Sequence, residues 1–515
     1  MRADCTRRFA PIKSEKPMSD EPQHTAEIVW LRRDLRIHDH EPLARALEAG
    51  GPVVAVYCFD PREHGQTHLG GFPKTGAHRT RFLLGAVASL RSEFRRRGAD
   101  LVLRHGRPED VLPELARALD ARIVRAHLEV ASEERAVERA VAAALPPGTK
   151  LEGSWGHTLI HRDDLPFPIA SMPELFTRFR EAVEKHSTPR PMWTTPSLLP
   201  PLPAGLDAGT LPSLSDLGVD APVDDPRQRM HFEGGETEGI GRLEQWLFEA
   251  DALKTYKETR NGLLARDDSS KLSPWLAAGC LSPRRVHAAV KEYERERGAN
   301  DSTYWMFFEL LWRDYFRFIV AKHGDLVFRI GGLVGADIAW REDEAAFACW
   351  RRGQTGYPLV DAAMRELLAT GYTSNRARQN VASFLTKNLG IDWRLGAAWF
   401  ESQLVDYDVA SNWGNWLYFA GVGNDARGFR FFDLRKQAAT YDLHGDFARH
   451  WLPELAAIEG GAIYHPDDLG VEERARLGMR YPAPIVDFEA SAAACKRTYE
   501  EGIARATRKP GSPMR

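Results

Sequence analysis

Cysteine is scarce and scattered in this chain. Cys5, Cys58, Cys280, Cys349 and Cys495 are the only five in 515 residues, and no two are closer than 53 positions. That pattern excludes a disulfide scaffold and a paired-cysteine metal site, and it points to a reducing cytoplasm. Long apolar runs are missing too. Val53 to Phe59 is the size of a buried strand, far from the roughly 18 residues of a spanning helix, so no bilayer crossing is expected. An excess of charge is also lacking: 69 Lys and Arg against 72 Asp and Glu leave −3, so nucleic-acid affinity would need a local patch. The first 26 residues lack the apolar core of a secretory signal and read as a disordered leader, with Met18 as an alternative start. Glycine is absent after the first apolar run, where Ile28 to Leu31 passes into Arg32-Arg33-Asp34-Leu35-Arg36, so the dinucleotide fingerprint is excluded.

What is present suits a globular protein with room for two to four domains, at 43% hydrophobic and 27% charged residues. Over 27–152, the apolar runs Ile28 to Leu31, Val53 to Phe59, Leu101 to Leu103 and Ile123 to Val124 alternate with helical stretches such as Arg79 to Arg97. This rhythm predicts an α/β N-terminal domain with a parallel, Rossmann-like sheet. His38, Asp39 and His40 read as an exposed turn, not a metal site. Residues 153–230 are rich in proline and read as an interdomain connector. Helical periodicity with proper punctuation then predicts a large all-α C-terminal domain over 231–480, followed by a tail, 481–515. Ten of the fourteen tryptophans lie after residue 258.

Three constellations in the helical half carry chemistry. Ser269, Ser270, Lys271, Leu272 and Ser273 precede Pro274, so a helix with Ser273 as N-cap would present hydroxyls, free amides and a lysine to phosphate; taken alone the run reads first as a plain capped helix. On a helix predicted over 303–322, Glu309 and Arg313 lie four apart among Trp305, Phe307, Phe308 and Trp312. Either they form a surface ion pair, or Glu309 is a partly desolvated carboxylate serving a ligand. Asn375 and Arg378 share the next helix face, followed by Asp406, Asp408 and Asn412. Aspartates two apart on a helix diverge, and no Ser/His/Asp spacing stands out, so hydrolysis is poorly supported. Gly421 to Asp425 reads as a turn.

The runs Ile28 to Arg36, Lys74-Thr75-Gly76, Thr355-Gly356-Tyr357-Pro358, Asn375-Arg376-Ala377-Arg378-Gln379-Asn380, Asp406 to Trp416 and His450 to Leu455 together resemble the photolyase and cryptochrome family. The DASH cryptochrome branch fits best, and the likeness runs from Ile28 to about Tyr464. It implies a noncovalent, folded FAD in the helical domain. By motif position, Tyr256 and Ser269 to Ser273 would hold the pyrophosphate. Asn375, Arg378, Asp406, Asp408 and Asn412 would surround the flavin, with Arg378 paired to Asp406 and Asn412 facing the reactive central-ring nitrogen. Glu309 and Arg313 join the cofactor-binding set, and Glu309 would also meet the bases of a pyrimidine dimer, with an extruded base packed on Trp312.

Gln379 and Tyr418 stand where many classical photolyases carry Met and Trp. With Trp312 and Arg376 they would form the substrate side, and their polarity favours lesions already unstacked, hence single-stranded DNA, with RNA a further candidate partner. Trp416, Trp393 and Trp340 fall on the family's electron relay, although core packing alone would also explain them. The resemblance further implies a folate-type antenna, 5,10-methenyltetrahydrofolate, between the domains. Activity would be blue-light-driven opening of cyclobutane pyrimidine dimers, that of a deoxyribodipyrimidine photolyase, with Glu309 and Asn412 as catalytic residues. The alternative is a blue-light photoreceptor or DNA-binding regulator. Six-four repair is disfavoured, since Ser374-Asn375-Arg376-Ala377-Arg378-Gln379 replaces the family's His-His-x-x-Arg-His. Arg376, Arg427, Arg430, Arg435 and Lys436 form a candidate DNA-facing patch, or else part of a solvated turn.

Overall fold

The computed structural model describes residues 25–425 and 428–507. Five parallel strands, β1 (Glu27–Leu31), β2 (Val53–Phe59), β3 (Val102–His105), β4 (Ile123–His127) and β5 (Lys150–Ser154), form one sheet in the order β3-β2-β1-β4-β5. Their crossovers contain helices α1 (Glu41–Glu48), α2 (Ala77–Arg96), α3 (Pro108–Ala118) and α4 (Ser132–Ala144). All seven side chains of β2 are buried, as befits a parallel strand covered on both faces. Alternation divides the strands between two cores. Ile28, Trp30, Val54 and Val56 belong to one confined to the α/β unit, whereas Val29, Leu31, Ala55 and Tyr57 belong to one that continues into the helical unit.

Residues expected to form a plain connector include helix α5 (Phe176–His186). The helical unit then runs through α6 (Glu236–Glu244), α7 (Tyr256–Thr259), α8 (Ser273–Ala278), α9 (Pro283–Arg297), α10 (Asp301–His323) and α11 (Glu344–Arg352). It continues with α12 (Pro358–Thr370), α13 (Asn375–Lys387), α14 (Trp393–Gln403), α15 (Val409–Ala420), α16 (Leu434–Tyr441), α17 (Asp446–Trp451) and α18 (Val471–Arg476). A last helix, α19 (Phe488–Thr507), lies inside the segment set apart as a tail and packs on α13. Among the described residues no helix is long and apolar enough to cross a membrane.

Local chemistry sets the helix ends that matter most for the site. Asn300 and Thr303 form a reciprocal capping box at the start of α10. Ser374 caps α13 by accepting from the Ala377 amide, and Asp408 caps α15 by accepting from the Ser411 amide. Gly371, left-handed at φ 70°, ends α12.

The expected exposed turn His38-Asp39-His40 is buried instead, at 8%, 1% and 2% exposure. The helical unit covers it. Glu236 accepts from His38 Nδ1 (2.8 Å), Arg284 pairs with Asp39 (2.7 Å), and Arg36 donates to Gly279 O (2.9 Å). Gly279 permits that approach: it is left-handed at φ +72°, and a Cβ there would lie 2.5 Å from Asp34 Cα.

Candidate functional site

A cavity of about 540 Å³ opens in the helical unit, within the range of small-molecule sites (roughly 300–1,000 Å³). The structure brings to its walls Tyr256, Ser269 to Ser273, Glu309, Arg313, Asn375, Arg378, Asp406, Asp408 and Asn412. Trp312, Arg376, Gln379, Tyr418 and Trp416 line it as well, and the cavity wall does not include Trp393 or Trp340.

Asp406 is the centre of the polar wall. Its Oδ2 accepts from Arg378 Nη2 (2.9 Å) and Ser273 Oγ (2.6 Å), while Oδ1 is buried without a partner. Ser273 is therefore not the N-cap expected from its place before Pro274: it is the first residue of α8, and its hydroxyl is committed to Asp406. Burial would lower the basicity of the Arg378 guanidinium, but the Asp406 charge more than offsets it and holds Arg378 above its ordinary value. Lys271 is left-handed at φ 51°, and its ammonium donates to Ala265 O (2.7 Å), so the charge is already engaged. Burial alone would raise the Asp408 carboxyl, but Arg313, Arg317 and the Ser411 donors hold it below the usual carboxylate range. Asn412 is anchored by Nδ2 donating to Ala397 O (3.0 Å).

Glu309 and Arg313 share a helix but do not pair. Glu309 instead meets Arg260 and accepts from Trp305 Nε1 (3.2 Å), while Arg313 donates to His157 O and Leu276 O. Burial pushes the Glu309 carboxyl up, opposed chiefly by Arg260. Nothing in the local pattern identifies Arg260, 49 residues upstream of its partner. Trp312, part of the cavity wall, is stacked on Phe176 of α5 at 3.7 Å, stands edge-on to Tyr418 at 6.0 Å and meets Phe316 at 5.5 Å.

The basic patch divides. Arg376 and Arg430 line the cavity. Arg376 donates to Asn261 Oδ1 (2.9 Å), with its guanidinium 4.5 Å over Tyr441. Arg435 and Lys436 are exposed on α16 and do not line the cavity, and Arg427 lies outside the described residues. Trp416 packs edge-on to Phe400 (5.2 Å) and Trp350 (6.2 Å), with its ring against α14 at Gly396. Trp393, one turn away on α14, is fully buried; it meets Trp413 at 5.7 Å and donates from Nε1 to Ile330 O. Trp340 is partly exposed.

Asp34, His40 and His127 place three ligand-type atoms within 4.8 Å of one another. His127 Nδ1 (2.7 Å) and His40 Nε2 (3.0 Å) both hydrogen-bond Asp34 Oδ2, so the three form a buried network, in which His127 Nε2 has no partner.

The cavity's chemistry suits a flavin dinucleotide. The Asn375 and Asn412 amides could meet a ring's donors and acceptors, the Ser269 and Ser270 hydroxyls and nearby amides would receive phosphates, and aromatic rings supply flat walls. Comparison with known proteins agrees. A family model described as the FAD binding domain of DNA photolyase matches residues 305–501, and one described as DNA photolyase matches 27–202. A cryptochrome DASH of Gloeobacter violaceus is 56% identical, over 92% of this chain and 95% of its own. The crystal structure of the Synechocystis cryptochrome superposes with a TM-score of 0.89 at 50% identity, over 92% of this chain and 99% of that one. A bacterial class III photolyase from Agrobacterium tumefaciens gives 0.82 at 31% identity, over 96% and 100%. The chain belongs to the photolyase and cryptochrome family, in its DASH cryptochrome branch.

Proposed function

We propose that the protein is a blue-light-driven lyase that opens cyclobutane pyrimidine dimers in DNA, with a preference for single strands. The observation that carries this reading is the union, in one cavity, of the polar wall around Arg378 and Asp406 with an aromatic-polar wall of Glu309, Trp312, Gln379 and Tyr418. FAD, when bound, supplies the light-driven electron.

On this reading the chain's own residues do the rest. Arg378 and Asp406 hold the cofactor's polar edge, and Asn412 presents a neutral amide to the flavin ring, where an aspartate would repel negative charge. Glu309, its carboxyl raised by burial, hydrogen-bonds the dimer's bases, and Trp312 packs on an extruded base. Trp416, Trp393 and Trp340 carry electrons inward to the cofactor. A folate antenna, 5,10-methenyltetrahydrofolate, supplements light capture. The four described cysteines are all free, consistent with work in a reducing cytoplasm.

The test is the absorption spectrum of the purified protein, followed by a blue-light assay on dimer-containing single-stranded and duplex DNA and on RNA. Cleavage that is faster on single strands is expected. A flavin-loaded protein with no cleavage on any substrate would leave the photoreceptor reading in its place.

A further inference from the structure

Lys387, the last residue of α13, is 1% exposed. The first turn of the same helix carries Asn375 and Arg378 into the cavity. Its Nζ donates to Ala420 O, at the end of the helix that carries Asn412 and Trp416. The ammonium lies 4.7 Å from the Phe429 ring centroid and 4.8 Å from that of Tyr499, one on the segment after α15 and the other on α19. Around this charge the segment is fastened at several points. Tyr499 Oη donates to Gly421 O (2.8 Å), and its ring meets Phe429 at 5.4 Å. Phe431 meets Phe488 at 5.1 Å, and Phe432 N donates to Ser383 Oγ (3.1 Å). At Gly421, φ +77°, a Cβ would lie 2.9 Å from Gly428 O, so only glycine lets the segment fold back here. Between the fastened Phe429 and Phe431 stands Arg430, a wall of the cavity, with its guanidinium 4.9 Å over Phe432.

We propose that Lys387 is a positioning residue for the substrate side of the site: its ammonium, boxed between the 428–432 segment and the C-terminal helix, fixes where Arg430 stands. The role rests on the function proposed above, while the clamp itself does not. A charge between two aromatic faces binds both, and a neutral amine loses that attraction. The groups that face Lys387 are Asp425 of the connecting segment, which favours the charged form, and the Cys495 thiol of α19, which burial keeps neutral; burial prevails and pushes the amine down to about 7. Below that pH the clamp is charged and closed. Above it the attraction is lost and Arg430 is released.

The experiment has two arms on the full chain. In the first, amide exchange of residues 428–432 is followed from pH 6 to 8.5 without DNA, corrected for intrinsic rates, in wild type, Lys387→Met and Tyr499→Phe. Protection in wild type should fall through about pH 7. Lys387→Met should show the weaker protection at every pH, and Tyr499→Phe, which keeps the ring but loses one hydrogen bond, should lose about two- to tenfold. In the second arm, affinity for a dimer-containing single-stranded oligonucleotide should fall in parallel, at unchanged flavin content. If wild-type protection carries no pH step and Lys387→Met matches it, the proposal is overturned. DNA affinity that ignores Lys387→Met while protection falls overturns the role toward Arg430. Absence of DNA binding in every protein removes the proposed function and leaves the clamp to the first arm.

Discussion

Two buried polar clusters, one in each unit, use similar groups to opposite ends. At the strand ends of the α/β unit, next to β1 where the strand order reverses and where open sheets usually bind ligands, Asp34 is enclosed by His127 and His40 and covered by α8. Burial would raise Asp34, but the two imidazoles hold it well below its ordinary range. In the helical unit Asp406, a residue of the cavity wall, is held by Arg378 and Ser273 through Oδ2, and its Oδ1 is buried without a partner. The first cluster is a closed joint covered by the helical unit, although His127 Nε2 is likewise buried without a partner. The second lines a cavity, and an unmet buried acceptor costs about 1 to 3 kcal/mol wherever it lies. Neither burial of charge nor an unmet buried atom marks a binding site by itself; what sets the second cluster apart is the cavity it lines.

The comparison breaks most visibly at Asp406. Asp406→Ala removes the acceptor and strands the Arg378 guanidinium, so flavin should be absent from the purified protein and stability should fall by about 3 to 5 kcal/mol. Flavin absorbance and chemical denaturation read both. An Asp406→Ala protein with normal flavin would place the cofactor elsewhere.

Trp416 and Trp350 are buried neighbours, yet only Trp416 lines the cavity. Trp416→Phe should abolish flavin photoreduction by an external thiol under blue light, while Trp350→Phe keeps it, each costing under about 1.5 kcal/mol of stability. Dimer cleavage by chemically prereduced Trp416→Phe should persist. Wild-type photoreduction in Trp416→Phe would return these rings to packing.

The closed joint should be sensitive to acid. Burial pushes His127 down to about 4 and His157 well below its usual value. Both are neutral when folded, whereas unfolded imidazoles take up protons below about 6.5. The stability they confer is therefore present above pH 6.5 and lost as pH falls towards 4, for His127 by roughly 3 kcal/mol across that window. Asp34, depressed when folded, acts in the same direction below about pH 3.9. Melting temperature should drop between pH 7 and 4.5, and His127→Gln should flatten the drop. A flat wild-type profile would mean these imidazoles are charged in the fold.

Glu309→Ala should keep flavin and lose ten- to a hundredfold in dimer cleavage, the value of one hydrogen bond to a charged group, about 1.5 to 3 kcal/mol. Equal quantum yields would remove Glu309 from the mechanism.

The smallest effect separates the two parts of the basic patch. Arg430→Ala should weaken single-stranded DNA binding and reduce its salt slope by about one, while Lys436→Ala, 84% exposed beside Asp433, should change little. Equal losses would extend the DNA path over α16.

Much of the helical half was legible because its signals are local. Pro358 and Gly371 bracket α12, Ser374 opens α13, and the Asp406 to Trp416 run is specific enough to fix the family. The α/β rhythm likewise follows from strand-sized runs between amphipathic helices. Tertiary structure alone decided the partners. Glu309 turned to Arg260 and not to Arg313, because Arg313 found two carbonyls from other segments. Ser273 gave up a cap for Asp406, 133 positions away. His38 to His40 became core because α8 and α9 close over them, and a segment set apart as a tail became a helix that braces α13. Periodicity reports which face of an element is apolar. It cannot report what another element, brought near only by packing, places against the polar groups that remain.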